Sequence, residues 1–450
     1  MDTIHENDGE ISEASDSSIA FSLTAATAAE TSVLVVSNVL PVDLMYNQGD
    51  QKWSVQWSKD VMNLGWSGSK SWDAAGFQRV SHVGVPNAFV PMEEQDKVEA
   101  LLEELDCYPV FLKPAEASAH YQGYVKGVLH PTFHNIIDLY NTTKVETMKK
   151  KEAEEDEEEE EAKVEGQKKG IKSGETKWAK RKSWHPFMQE VAFPSHMSVA
   201  TKFARIVTQV YNEGDVIWVQ DYHLLHLPSL LLRKLPKANV GVFLHTPFPS
   251  SEIFRTLSFR TEILRSMLCA DHIGFHQFEY ARHFLTCCRR ELGVTYQTNQ
   301  NGSICVPFQG RTVNITCCHA GVESQHLSEI LNDAKTINDS FLTNNEKDAR
   351  CKIIGGCDTA EGLSGIALKI LAFDRFLEER PLWRGRVRML QVGIYPDSRP
   401  DDARRTEQDV QALVSNINMK FAKHYSKHPA VTYVTRTEEE FTIHRRLALW

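Results

Sequence analysis

The sequence has no Cys-x-x-Cys pair, no long apolar run and no surplus of positive charge. Its nine cysteines are scattered along the chain. That pattern excludes a zinc knuckle and a spaced disulfide framework, and predicts reduced, buried thiols in the cytosol. No apolar stretch reaches the roughly 18 residues that a membrane span needs. Residues 1–30 are acidic and rich in Ser, Ala and Thr. They lack the basic start and apolar core of a secretory signal and the arginines of an organellar one, so a disordered tail is expected there. The formal net charge of −10 argues against a nucleic-acid partner.

What the chain does have is enough apolar material for two cores. Its 450 residues, 42% hydrophobic, predict two domains. The first organises around residues 216–284. Three apolar runs there end in polar groups, at Asp221-Tyr222-His223, His245-Thr246-Pro247 and Gly274-Phe275-His276. Short apolar runs bounded by breakers read as buried strands of a parallel sheet, with helices between them. Polar groups at successive strand ends converge on one edge of such a sheet, where α/β proteins bind ligands. The site predicted here is one for a sugar or a nucleotide.

Further elements fall on either side. Residues 32–38 read as a first buried strand, and 50–90 as a meander of short strands. Residues 93–105 have helical spacing, and 109–112 resemble another strand. Residues 117–139 place Tyr121, Tyr124, His130, Phe133 and His134 at roughly helical spacing, which on its own is a packed aromatic face. Residues 149–182 run from basic to acidic and back to basic. Such a run buries nothing, so a solvated, disordered insertion is expected, with a protein partner as the alternative reading. Residues 198–211 read as an amphipathic helix. Past residue 293, segments at 296–297, 304–306 and 313–316 read as a small antiparallel excursion. Residues 332–345 are polar and read as the bridge between a first domain, 31–345, and a second, 346–450. The second opens with a strand at 352–356, a helix at 365–379, a strand at 387–392, a helix at 407–424 and a strand at 431–434. It shows no closing elements, and a truncated second domain is expected.

The segments IWVQDYHL, FLHTPFPSSEIFR, DHIGFHQFEYARHFL and KILAFDRFLEERPLWRGRVRMLQV resemble glycosyltransferase family 20, the trehalose-6-phosphate synthases, in its eukaryotic branch. The similarity runs from about residue 33 to the end, apart from the charged insert. It implies a GT-B fold: two Rossmann-like domains facing a cleft, the second incomplete here. It implies transfer of glucose from UDP-glucose to glucose 6-phosphate with retention of configuration. UDP-glucose is then a co-substrate, and neither a cofactor nor a metal is implied. No nucleic acid, no membrane and a cytoplasmic location are expected; a homo-oligomer is left open.

The resemblance also assigns residues. Asp221 matches the carboxylate of the DYHL motif on the acceptor side, and His245 the histidine of FLHxPFP that contacts the donor sugar. Tyr121 falls at an acceptor-contacting tyrosine, although the tryptophan expected nine residues later is His130. Arg399 matches an arginine that grips the acceptor phosphate, work that suits a guanidinium through paired hydrogen bonds. Without the family context, Asp221 reads equally as a cap for a helix starting at Tyr222, His245 as a satisfied core histidine and Arg399 as an exposed loop residue.

The departures fall on phosphate-binding positions. Val39 stands where the family has an arginine in SNRLPV. Only Gly65-Trp66-Ser67-Gly68 is available for the expected glycine pair. Aligned on Gly365-Ile366, Thr359 and Ser364 stand where the family's donor-binding segment carries an Arg and a Lys. The alternative function is therefore a catalytically degenerate member that binds sugar phosphate or partners and regulates trehalose metabolism. A GT-B transferase with another donor is a third reading.

Overall fold

The computed structural model describes residues 32–47, 49, 52–58, 77–135, 186–298, 302–319, 328, 332, 351–395, 400–426 and 428–437. The tail, the charged insert, most of the bridge, Arg399 and residues 438–450 lie outside them.

In chain order the strands of the first unit are β1 (Ser32–Val39), β2 (Val42–Asn47), β3 (Lys52–Trp57), β4 (Arg79–Val85), β5 (Cys107–Pro109), β6 (Val216–Gln220), β7 (Asn239–Leu244), β8 (His272–Phe275), β9 (Gln297–Thr298), β10 (Ile304–Phe308) and β11 (Arg311–Cys317). Nine of them form one sheet in the order β5-β4-β1-β6-β7-β8-β11-β10-β9. From β5 to β11 every pairing is parallel. β1 is buried without a break from Val33 to Ser37, which is the signature of a strand covered on both faces. The three apolar runs predicted to end at the polar groups 221–223, 245–247 and 274–276 are strands β6, β7 and β8 of this sheet. β2 and β3 form a separate antiparallel ribbon.

Two expectations are corrected. The antiparallel excursion exists as β9-β10-β11, but it is not a separate piece. β11 pairs in parallel with β8, from Asn314 opposite His272 to Cys317 opposite Phe275. Val313 and Ile315 are buried in the main core while Thr312 and Asn314 face out, so one face of β11 joins that core and the ribbon extends the sheet. The described part of the predicted helical stretch 117–139, up to residue 135, is not an ordinary helix either. A short helix at Pro114–Ser118 passes into a π-helix, Ala119–Leu129, and then into a turn of α-helix, His130–Phe133. Tyr124 and Phe133 are fully buried, which fits a packed face. The amphipathic helix is longer than predicted, spanning Pro186–Val210, and it packs along the π-helix.

The second unit has three parallel strands, β12 (Lys352–Thr359), β13 (Val387–Ile394) and β14 (Val431–Arg436), with β13 in the middle. All eight residues of β13 are buried. Ile366, Ile370, Phe373 and Leu377 of the helix Ile366–Glu379, with Val410, Ile417 and Phe421 of the helix Pro400–Phe421, form its core against Val387, Met389 and Val431.

Candidate active site

Strand order locates the site. From β1 the chain builds outward through β4 and β5, then returns to the opposite flank with β6, β7 and β8. The carboxyl ends of β1 and β6 therefore flank a topological switch point, where open α/β sheets leave a crevice. Asn38 and Val39 stand at the end of β1, and Gln220 and Asp221 at the end of β6.

Asp221 adopts φ 60° and ψ −175°, a region that is nearly glycine-only and costs about 1–3 kcal/mol for other residues. The residue does not cap the short helix Tyr222–Leu224, to which its side chain makes no capping bond. Its backbone N–H donates to the Phe243 carbonyl at 2.7 Å. Its Oδ1 accepts the backbone N–H of His245 at 3.2 Å and the Thr246 hydroxyl at 3.4 Å. The carboxylate thus spans the ends of β6 and β7. Burial raises its pKa to about 6, against the lowering pull of the Tyr222 and His245 N–H groups, Thr246 and the Lys126 charge. At neutral pH it is a desolvated carboxylate with acceptor capacity to spare.

His245 lies within a polar chain. Its Nε2 is 2.9 Å from Gln220 Oε1, and its Nδ1 is 3.3 Å from His276 Nε2. Burial and the neighbouring His276 lower its pKa to about 4, so the ring is neutral. With the Gln220 oxygen facing it, Nε2 carries the proton and donates, and Nδ1 accepts from His276. Both nitrogens are engaged, and the longer bond, to His276, is the one that yields most readily to a sugar hydroxyl.

Tyr121 reaches the same place from the π-helix. Its ring stacks on His223 at 6.2 Å between centroids, and the Lys126 ammonium sits 5.6 Å above it. His223 Nδ1 is 3.8 Å from Asp221 Oδ2. Burial drives the His223 pKa down to about 3, so no ion pair forms. His130, at the expected tryptophan position, bonds through Nδ1 to the Tyr222 hydroxyl at 3.0 Å. Asp221, His245 and Tyr121 are therefore brought together at the carboxyl ends of β6 and β7. Thr359 ends β12, exposed, and Ser364 lies in the turn before the helix Ile366–Glu379. Neither side chain carries charge.

His223 and His276, which touch these residues, were among the polar groups predicted at the strand ends, whereas Gln220 and Lys126 were not singled out from sequence. Lys126 required the π-helical turn. Among the described residues no cluster of three His, Cys, Asp or Glu side chains is placed to hold a metal ion, and no helix is long and apolar enough to cross a membrane.

Three comparisons show what the chain is similar to. The model of glycosyltransferase family 20 matches residues 31–158 and 177–447. The UDP-forming alpha,alpha-trehalose-phosphate synthase 5 of Arabidopsis thaliana is 32% identical over 399 residues, covering 87% of this chain and 40% of that protein. Synthase A of Dictyostelium discoideum is 30% identical over 395 residues, covering 86% and 45%. The chain thus spans less than half the length of these curated relatives. Among solved structures, the N-terminal domain of Candida albicans trehalose-6-phosphate phosphatase superposes with a TM-score of 0.65 at 25% identity, covering 93% of this chain and 76% of that one. A UDP-forming alpha,alpha-trehalose-phosphate synthase from Burkholderia xenovorans, in complex with glucose-6-phosphate, gives 0.62 at 18% identity over 93% and 76%, which speaks to the fold. The fold is GT-B, and the chain belongs to glycosyltransferase family 20.

Proposed function

We propose that the protein transfers glucose from UDP-glucose to glucose 6-phosphate with retention, releasing UDP and forming trehalose 6-phosphate. The observation that carries this reading is the Asp221–His245 pair at the switch point, joined by the 3.2 Å bond from the His245 backbone to the Asp221 carboxylate. Asp221, ionised above pH 6, accepts hydrogen bonds from acceptor hydroxyls and fixes the attacking oxygen. His245, neutral, hydrogen-bonds the donor sugar. In front-face transfer the leaving diphosphate takes up the acceptor proton, so the rate depends on groups that stabilise that diphosphate. Tyr121 lines the acceptor side. Arg399, outside the described residues, is assigned to the acceptor phosphate. Thr359 and Ser364 face the donor diphosphate and supply hydroxyls rather than charge. The nine free thiols fit a reducing compartment, and the reading places the protein in the cytosol.

The test is UDP release by the full chain with both substrates, with Asp221→Ala as control. Release well above the control is expected. Release no greater than the control defeats the reading, and retained glucose 6-phosphate binding in that case gives the binding-only alternative.

A further inference from the structure

The π-helix Ala119–Leu129 carries Tyr121 and Lys126 five residues apart. In an α-helix that spacing turns two side chains to different faces. In a π-helix, with i→i+5 bonds, it is one turn and puts them on the same face. The His130 N–H, donating to the Val125 carbonyl, closes one such rung. The result is direct contact, with Lys126 Nζ 5.6 Å above the Tyr121 ring. Tyr121 in turn stacks on His223, whose Nδ1 is 3.8 Å from the Asp221 carboxylate. Lys126, Tyr121, His223 and Asp221 therefore form one continuous wall.

Val39 is close by. Asn38 Oδ1 lies 3.2 Å from His120 Nε2, so Val39 and Tyr121 are the chain neighbours of two bonded residues. Val39 is apolar and 39% exposed, and brings no charge to the crevice. The imidazoles around it bring none either, since burial holds His120 and His223 neutral. Lys126 is the cation whose field reaches Asp221, His223 and His134.

We propose that Lys126 is an acceptor-binding residue that fixes the phosphate monoester of a hexose phosphate, a charge that Val39 does not supply. This rests on the function proposed above and adds the source of acceptor specificity. The sugar ring lies against Tyr121 with its hydroxyls on Asp221, and the phosphate reaches Lys126. The π-helix is what aims the ammonium there.

Calorimetric titration of the full chain with glucose 6-phosphate, glucose and inorganic phosphate tests this, using wild type, Lys126→Gln and Lys126→Arg, with each variant's fold checked by its melting temperature. Loss of one charge-assisted contact predicts that Lys126→Gln weakens glucose 6-phosphate binding about 10- to 100-fold. Glucose binding should be unchanged, and Lys126→Arg should stay within a few-fold of wild type. Equal weakening for glucose and glucose 6-phosphate overturns the proposal in favour of a structural role. Inorganic phosphate binding as tightly as glucose 6-phosphate also overturns it, because the site is then one for a free anion. Wild-type affinity in Lys126→Gln overturns it and leaves the proposed function standing. Absence of any sugar-phosphate binding by wild type removes both.

Discussion

The Asp221 carboxylate accepts the backbone N–H of His245 at 3.2 Å, so a charged side chain at the end of β6 sets the backbone at the end of β7. Holding it there has two costs. The backbone sits at φ 60°, and burial raises the carboxyl pKa from 3.8 to about 6. The folded state therefore binds this proton more tightly than the unfolded chain does. Its stabilising effect is complete below pH 3.8 and is lost as the pH rises through 6. Asp221→Asn keeps an acceptor for His245 and removes the buried charge. It should raise stability by about 1–3 kcal/mol at pH 8 and by little at pH 4. Asp221→Gly should also relieve the backbone strain. Both should lower kcat/KM about 10- to 100-fold. Denaturant unfolding at the two pH values, alongside UDP release, checks this; equal stability of wild type and Asp221→Asn at pH 8 contradicts it.

A second polar chain has the opposite pH signature. His226 Nδ1 lies 3.0 Å from His196 Nε2, His196 Nδ1 lies 3.1 Å from His120 Nδ1, and His120 Nε2 meets Asn38 Oδ1. Each ring donates to the next, and the last nitrogen, His226 Nε2, is buried without a partner. Burial lowers the His120 and His226 pKa values to about 4 and, with the neighbouring imidazoles, holds that of His196 well below the usual histidine value. Here the unfolded chain binds protons first. Stability is complete above pH 6.5 and should fall on the order of 2 kcal/mol per histidine by pH 5. His226→Leu should change stability little at pH 7.5, because it removes one orphaned nitrogen and exposes another, and it should flatten the acid slope. A slope between pH 7.5 and 5 that is the same in wild type and His226→Leu would refute the account.

The legibility of these features in sequence follows from their range. β1, β6, β7 and β8 are unbroken apolar runs, and a parallel sheet buried on both faces demands such runs. Asp221 and His245 were legible because each ends a run. The π-helix was not, because Tyr121, Tyr124, His130 and Phe133 satisfy a helical period well enough, and the wider turn is decided by packing against the helix Pro186–Val210. The histidine chain was hidden for a different reason. His120 and His196 are 76 residues apart and His196 and His226 are 30 apart, so each alone looks like a stray polar residue on an apolar face. The merging of β11 into the main sheet was equally a long-range fact, fixed by its pairing with β8.

Gly274 shows how tightly the floor of the site is built. A Cβ there would lie 2.4 Å from Phe243 Cδ2, so the Phe243 ring occupies the space a side chain would fill. That ring also packs on His245 at 4.8 Å and edge-on to His276 at 5.1 Å. Gly274→Ala should push Phe243 onto both imidazoles, costing about 1–3 kcal/mol of stability and lowering turnover. Phe243→Leu makes room, so the double variant should recover part of both losses. A double-mutant cycle with coupling below about 0.5 kcal/mol would show that the two positions are independent.

The last prediction concerns the second unit. Asp358, next to Thr359 at the end of β12, already pairs with Lys369 and accepts from Gln391 Nε2 at 2.8 Å. The Lys369 charge is therefore spent on a carboxylate, and Thr359 and Ser364 add none. Thr359 is exposed, so an arginine fits there without repacking, and Ser364 is only half-buried at the end of the turn Gly362–Ser364. If diphosphate stabilisation limits the reaction, Thr359→Arg with Ser364→Lys should tighten UDP binding and raise kcat/KM for UDP-glucose. Each gain should be about 10-fold or more, since a single transition-state donor is worth roughly 3 kcal/mol in other enzymes. The acceptor KM should not move, because the residues assigned to the acceptor, Tyr121, Asp221 and Arg399, are left unchanged. UDP titration and initial rates at varied donor and acceptor decide it: unchanged UDP affinity in the double variant would mean that these two positions do not face the diphosphate.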